Sequence, residues 1–388
     1  MKLNEGFLAR MRDVVAVLQA EGPMAATHAI QEALGGDPRA EVAKAPATPD
    51  LKRQWDADDV SDITLNEDTA TIPDVDDAPN AAPAEPPDRQ VGGQFITASL
   101  SNRAGTRRYK VYVPSGYAAD KALPLVVMLH GCKQNPDDFA AGTRMNELAE
   151  EQQCVVVYPA QAKRANGSNC WNWFQPGDQQ RDRGEPSLIA DITREVLQRY
   201  KLDTNRCYIA GLSAGGAMAA IMGASYPDLY AAVGIHSGLP RGAANNVPSA
   251  FAAMKNPSGN GVAGTSRTPA IIFHGDRDAT VHPLNGQHVA DQHAPLAAGN
   301  AGPGTPDSTV RHGSKPQGRS YTVTMRHDAT GKAVTEHWVV HGAGHAWSGG
   351  SRKGSYTDPS GPDASRQMLR FFYEHALSDR SPVRTTDN

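Results

Sequence analysis

Four cysteines in 388 residues are too few to staple a small disulfide scaffold. No apolar run approaches the roughly 18 residues that a membrane-spanning helix needs. The formal net charge is −4, without the basic excess of a nucleic-acid binder, so no nucleic-acid partner and no transmembrane segment are expected. Neither a P-loop nor a G-x-G-x-x-G stands in a strand-to-helix context, and H-E-x-x-H is absent, so no metal and no other cofactor are expected. The opening stretch MKLNEGFLARMRDVVAVLQAEG carries Glu5, Arg10, Arg12 and Asp13 where a secretory signal needs an uncharged core. On sequence alone that gives a cytoplasmic expectation.

What is present is 39% hydrophobic residues, enough for a sizeable core, in a length suiting one large domain or two small ones. Residues 1–34 read as an amphipathic helix, with Leu3, Phe7, Met11, Val14 and Leu18 on one stripe and Gly35-Gly36 ending the pattern. Such a stripe docks on its own catalytic domain, self-associates or docks on another surface. Residues 35–92 read as a linker. Between 49 and 88 there are twelve acidic residues against two basic ones, and the Ala/Pro-rich run DAPNAAPAEPP cannot bury enough apolar area to order itself. Residues 93–377 read as one α/β domain, and 378–388 as a tail. QFITASL and RRYKVYVP alternate like strands. LPLVVMLH, CVVVYP, RCYIAGL, AAVGIHS, PAIIFHG and EHWVVHG are short apolar runs of the kind buried on both faces. Helical sequence follows Asn135-Pro136, runs over 186–201 and 214–225, and closes the domain at 362–376. This alternation predicts a mostly parallel central sheet with helices on both faces. Residues 295–318, rich in Gly, Pro and Ala, predict a long surface loop.

The strongest local signal is Gly211-Leu212-Ser213-Ala214-Gly215. G-x-S-x-G alone is weak, but here an apolar strand runs into Ser213 and a small-residue helix runs out, as a nucleophile elbow requires. A serine hydroxyl needs a base and an orienting acid, which on such a sheet follow later in the chain at strand ends. PAIIFHGDRDATV offers Asp276 and Asp278. Asp278 is the expected acid, because Asp276 lies so close to the strand that it suits capping the turn. EHWVVHGAGHAW offers His341 and His345. His345 is the expected base, because His341 is still within the apolar run and His345 sits in a Gly-flanked loop. The oxyanion hole is expected from the backbone N–H groups of Ala214 and of Cys132, which follows His130-Gly131 at the end of an early strand. Trp347, two residues past the expected base, and Trp171 and Trp173 in a polar loop are expected to contact substrate.

His337, His341 and His345 recur every four residues and invite a zinc reading. The segment reads as strand and loop, however, so that spacing does not gather them on one face. Cysteine catalysis lacks a cysteine at an elbow, and the pairing of the four cysteines is left open, since three full pairings exist.

Five motifs in order, HGCKQN (130–135), SNCWNWF (168–174), GLSAGGAMA (211–219), HGDRDATV (274–281) and GAGHAWSGG (342–350), make residues 95–375 resemble the poly(3-hydroxybutyrate) depolymerase family of esterases. The resemblance implies an α/β-hydrolase fold, with Ser213 as nucleophile, Asp278 as acid, His345 as base and Cys132 in the oxyanion loop. It implies an ester or polyester substrate: polyhydroxyalkanoate and its oligomers or, as in related members, feruloyl or acetyl esters of plant polysaccharide. Many members of the family are secreted. The helix and acidic linker depart from the family pattern, and no polymer-binding domain is recognisable after residue 377. A non-catalytic polymer-granule-binding protein, using the amino-terminal helix, is the alternative from another class.

Overall fold

The computed structural model describes residues 93–257, 266–294 and 308–379. The helix expected over 1–34, the linker over 35–92 and the tail from residue 380 lie outside the described residues.

The apolar and alternating runs become strands of a ten-stranded sheet. In chain order they are β1 (Gln94–Asn102), β2 (Gly105–Val113), β3 (Leu125–Leu129), β4 (Val155–Pro159), β5 (Cys207–Leu212), β6 (Ala232–His236), β7 (Ala270–Gly275), β8 (Ser308–Ser314), β9 (Ser320–His327) and β10 (Ala333–Val340). Their spatial order is β1-β2-β4-β3-β5-β6-β7-β10-β9-β8. The six central strands, β4 to β10, are parallel, and antiparallel pairs flank them on both sides. A separate pair of two-residue strands, β11 (Trp347–Ser348) and β12 (Thr357–Asp358), lies beyond β10 in the chain.

Period-2 alternation sends neighbouring residues of each central strand into two different cores. Leu125, Val127, Ile209, Val233, Ile235 and Ile272 pack on one face, with helices α3 (Gly184–Arg199) and α4 (Ala214–Ser225). Val126, Met128, Tyr208, Ala210, Ile271 and Phe273 pack on the other, with α1 (Pro136–Thr143), α2 (Met145–Gln152) and α7 (Ala364–Tyr373). Each such aliphatic side chain, fully buried, stabilises the fold by about 1.5–3 kcal/mol. Two further α-helices, α5 (Val247–Lys255) and α6 (Leu284–Gln292), complete the α-helices among the described residues. The helix after Asn135 starts as its sequence dictates: the Asn135 side chain accepts the Asp138 N–H at 2.9 Å, and Pro136 occupies the first helical position.

One expectation is corrected. Residues 308–314, read as part of a surface loop over 295–318, form strand β8 at the sheet edge, paired antiparallel with β9. Six of its seven residues are exposed, so its sequence carries none of the apolar alternation that marks a strand. Residues 295–307 lie outside the described residues.

Candidate active site

Parallel strands place all their C-terminal ends on one rim, and the chemistry-bearing residues gather there. Ser213 sits between β5 and α4 with φ 57° and ψ −120°, a strained conformation for a side-chain-bearing residue. Two glycines make that bend possible. A Cβ at Gly211 would lie 2.3 Å from the Gly215 carbonyl oxygen, and one at Gly215 would lie 2.1 Å from the Leu129 carbonyl oxygen. The bend is fixed on both sides: the Ser213 N–H donates to the His236 carbonyl at 2.9 Å, and the Ser213 carbonyl accepts the Ala217 N–H at 2.9 Å. Ala214 is the first helical residue, where backbone N–H groups have no partner within the helix and the dipole favours negative charge.

The loop after β3 abuts this bend. A Cβ at Gly131 would stand 3.6 Å from Ser213 Cβ. Gln134 holds the loop by accepting the Gly131 N–H at 2.9 Å while donating to Asp138 at 2.8 Å. Cys132 and Cys170 form a disulfide, with Cα atoms 4.2 Å apart, and the Lys133 N–H donates to the Ser168 carbonyl at 2.7 Å. Cys154 and Cys207 are free and buried. Behind the loop lies buried His130, whose pKa burial lowers to about 4. Its Nε2 accepts the Gln161 N–H at 3.1 Å, so Nδ1 carries the proton and donates to the Gly131 carbonyl at 2.8 Å. Glu185 anchors the other side, accepting the Asn172 N–H at 2.7 Å and the Gln161 side-chain amide, 3.4 Å from Arg107 Nη2. Burial, reinforced by nearby Asp178, pushes its pKa up to about 7.

Asp278 follows β7 and is buried. One oxygen accepts the Thr280 and Val281 N–H groups at 2.9 and 2.8 Å. The other accepts His345 Nδ1 at 2.7 Å and lies 3.4 Å from His274 Nε2. Burial acts to raise its pKa, but the bonds from His274 and His345 outweigh it and hold the carboxyl well below the usual carboxylate range. Bound through Nδ1, the His345 ring keeps Nε2 for proton exchange, and its side chain remains 12% exposed. The alternatives at each position pair with each other: Asp276 lies 2.9 Å from His341 Nδ1 on the exposed rim. His337 is buried on β10, so the three histidines spaced by four go three ways.

The three tryptophans are corrected. Trp171, Trp347 and Trp173 are 0%, 1% and 5% exposed, which leaves no face for substrate. Trp171 donates its indole N–H to the His130 carbonyl at 3.1 Å, beneath the disulfide loop. Trp347 donates to Ser365 at 3.0 Å and packs edge-on against Phe139. Trp173 meets Phe174 edge-on within the core. An aromatic in a loop still buries its large apolar surface when the indole N–H finds a partner inside. Sequence reading used His130 only to mark the start of the loop and missed its bonding role, and it missed His236 and His274 outright. Their signal is a histidine closing an apolar run, in LVVMLH, VGIH and IIFHG.

The family described as "Esterase PHB depolymerase" matches residues 107–302. Poly(3-hydroxyalkanoate) depolymerase C of Paucimonas lemoignei is 32% identical over 261 residues, 64% of this chain and 60% of that protein. Feruloyl esterase B of Neurospora crassa is 32% identical over 209 residues, 49% of this chain and 70% of that protein. The chain therefore spans less than two thirds of the depolymerase's length. Among solved structures, the acetyl xylan esterase from Aspergillus awamori superimposes with a TM-score of 0.55 at 18% identity, covering 73% of this chain and 100% of that one. That likeness speaks for the fold, an α/β-hydrolase sheet. Among the described residues no helix is long and apolar enough to cross a membrane.

Proposed function

Because this chain belongs to the PHB depolymerase family of esterases, we propose that it hydrolyses carboxylic esters through an acyl-enzyme on Ser213. His345 takes the Ser213 proton as Oγ attacks the ester carbonyl, then returns it to the departing alcohol. Asp278 holds the His345 tautomer and stabilises the imidazolium. The N–H groups of Ala214 and Cys132 receive the negative charge on the carbonyl oxygen; losing one such donor costs on the order of 100- to 1000-fold in rate. Water, activated by the same histidine, then releases the acid and restores the serine. One observation carries this reading: a strained serine at a strand-to-helix bend shares its sheet rim with a histidine hydrogen-bonded to a sealed carboxylate.

The substrate class proposed is polyhydroxyalkanoate, its oligomers or a similar aliphatic polyester. The depolymerase match supports it, being the longer of the two at equal identity. Aryl or acetyl esters of plant polysaccharide are the second reading, supported by the feruloyl esterase at the same identity. The experiment is turnover of p-nitrophenyl butyrate by the wild-type chain and Ser213→Ala, followed by a panel of polyhydroxybutyrate emulsion, methyl ferulate and acetylated xylan. Activity lost in Ser213→Ala, with clearing of the emulsion, is the expected result. Equal activity in both proteins overturns the mechanism. Turnover of ferulate without clearing selects the second reading.

A further inference from the structure

His236 closes β6, the strand beside β5, and its two halves hold two different parts of the rim. Its backbone carbonyl accepts the Ser213 N–H at 2.9 Å, so its main chain fixes the bend that presents the serine. Its imidazole reaches the other way: Nε2 accepts the Ser348 N–H at 2.9 Å, three residues past His345. The ring is also stacked between Phe273 and Trp347, at 5.7 and 5.1 Å between centroids. Trp347, which offers substrate nothing, is therefore part of the fastening of the base-bearing loop.

The proton inventory of the ring is fixed by these contacts. An Nε2 that accepts a hydrogen bond carries no proton, so the proton of the neutral ring is on Nδ1, 3.1 Å from the Ser237 hydroxyl. Burial lowers the imidazole pKa to about 3, with His274 and His345 acting in the same direction and Asp278 opposing them. The ring is thus an uncharged acceptor at working pH. His236 is 1% exposed and lies beneath the site, not in it.

We infer that His236 is a positioning residue that sets the separation between Ser213 and His345, holding the nucleophile's bend through its backbone carbonyl and the base's loop through its imidazole. The inference rests on the serine-esterase reading above. Proton transfer requires hydrogen-bond reach, and a displacement of about 1 Å costs on the order of 100-fold. Losing the Ser348 contact therefore slows the chemical steps and leaves substrate binding in place.

The test compares wild type, His236→Phe and His236→Gln in the full chain. Phe keeps a flat ring for Phe273 and Trp347 but offers no acceptor. Gln gives up the ring but places an amide oxygen near the position of Nε2. Folding is read from near-ultraviolet circular dichroism, and kcat and KM are read separately on p-nitrophenyl butyrate. Folded H236F is expected to lose about 10- to 100-fold in kcat with KM within about twofold, and H236Q to recover most of that loss. Folded H236F with kcat within twofold of wild type overturns the inference, and so does H236Q no more active than H236F. Failure of both variants to fold makes the residue a packing element and overturns it as well. If H236F alone fails to fold, H236Q decides: kcat within about fivefold of wild type supports the inference, and a larger loss overturns it. Ser213→Ala run alongside separates the two claims, since wild-type turnover in that variant removes the serine mechanism itself, whereas an active H236F leaves it standing.

Discussion

Asp276 and His341 bond to each other at 2.9 Å on the open rim, two residues before Asp278 and four before His345, which form the same kind of pair in a sealed setting. The chain thus carries two carboxylate–imidazole pairs on the same two loops. Burial separates their consequences. The side chains of Asp276 and His341 are 36% and 40% exposed, whereas that of Asp278 is 0% exposed and compensated by three hydrogen-bond donors, with His274 Nε2 3.4 Å away. Asp278→Asn is expected to lower kcat on p-nitrophenyl butyrate by about 10³- to 10⁴-fold, because the amide favours the wrong imidazole tautomer. Asp276→Asn is expected to stay within a few-fold of wild type. Comparable losses in both variants would contradict the assignment.

The disulfide between Cys132 and Cys170 ties the loop after β3, proposed to carry an oxyanion donor, across a sequence separation of 38 residues. Replacing both cysteines by serine is expected to lower unfolding free energy by about 2–4 kcal/mol, measured by urea denaturation. On the proposed mechanism, in which this loop directs the Cys132 N–H toward the transition state, it should also depress kcat more than it raises KM. Unchanged kinetics would mean the hydrogen bonds of Gln134 and Lys133 hold the loop by themselves.

Gly211 and Gly215 are packed against backbone, which cannot move aside as a side chain can. Gly211→Ala and Gly215→Ala are each expected to cost about 3 kcal/mol or more, and to abolish soluble expression or activity. Gly177 has nothing within 4 Å of its would-be Cβ, so Gly177→Ala is expected to stay within about 0.5 kcal/mol of wild type. Thermal melts of the three variants check this.

Glu185, 3% exposed, has a folded pKa of about 7 against an ordinary value of 4.5. The folded state holds the proton longer than the unfolded chain does. Its contribution is therefore fully present below about pH 4.5 and is lost as pH rises to about 7, an effect of order 3 kcal/mol. Glu185→Gln keeps the oxygen that accepts from Asn172 and removes the titration. The variant should show a flatter stability profile between about pH 4.5 and 7 by urea denaturation. A profile parallel to wild type would place the titration elsewhere.

The central strands were legible because burial on both faces writes itself as unbroken apolar runs such as LVVML and VVVYP. On one side the outer strands β1 and β2 showed as polar–apolar alternation, but on the other β8 and β9 were not legible. β8 is STVRHGS, an exposed edge whose identity comes from pairing with β9, not from its composition. At the rim, the Ser213 bend and the pairing of Asp278 with His345 were readable as geometry, because glycines and strand ends fix where a polar side chain can emerge. The tryptophans misled because a loop position says nothing of what packs over it. Trp347 is buried by Phe139, His236 and Ser365, residues 18 to 208 positions away in sequence. His236 escaped notice for the complementary reason: a histidine inside an apolar run reads as core until its acceptor nitrogen is seen to meet the Ser348 amide.

Among the described residues, the exposed strand β8 ends the sheet, with a row of amides and carbonyls on its outer edge that another chain could template upon. Arg311 is exposed on that strand beside exposed Val310, while the exposed His312 ring meets the Thr322 hydroxyl of β9 at 3.0 Å. Charge at that border disfavours stacking of one molecule on the next, so neutralising Arg311 would weaken the barrier to fibrillar self-assembly more than it would disturb the fold.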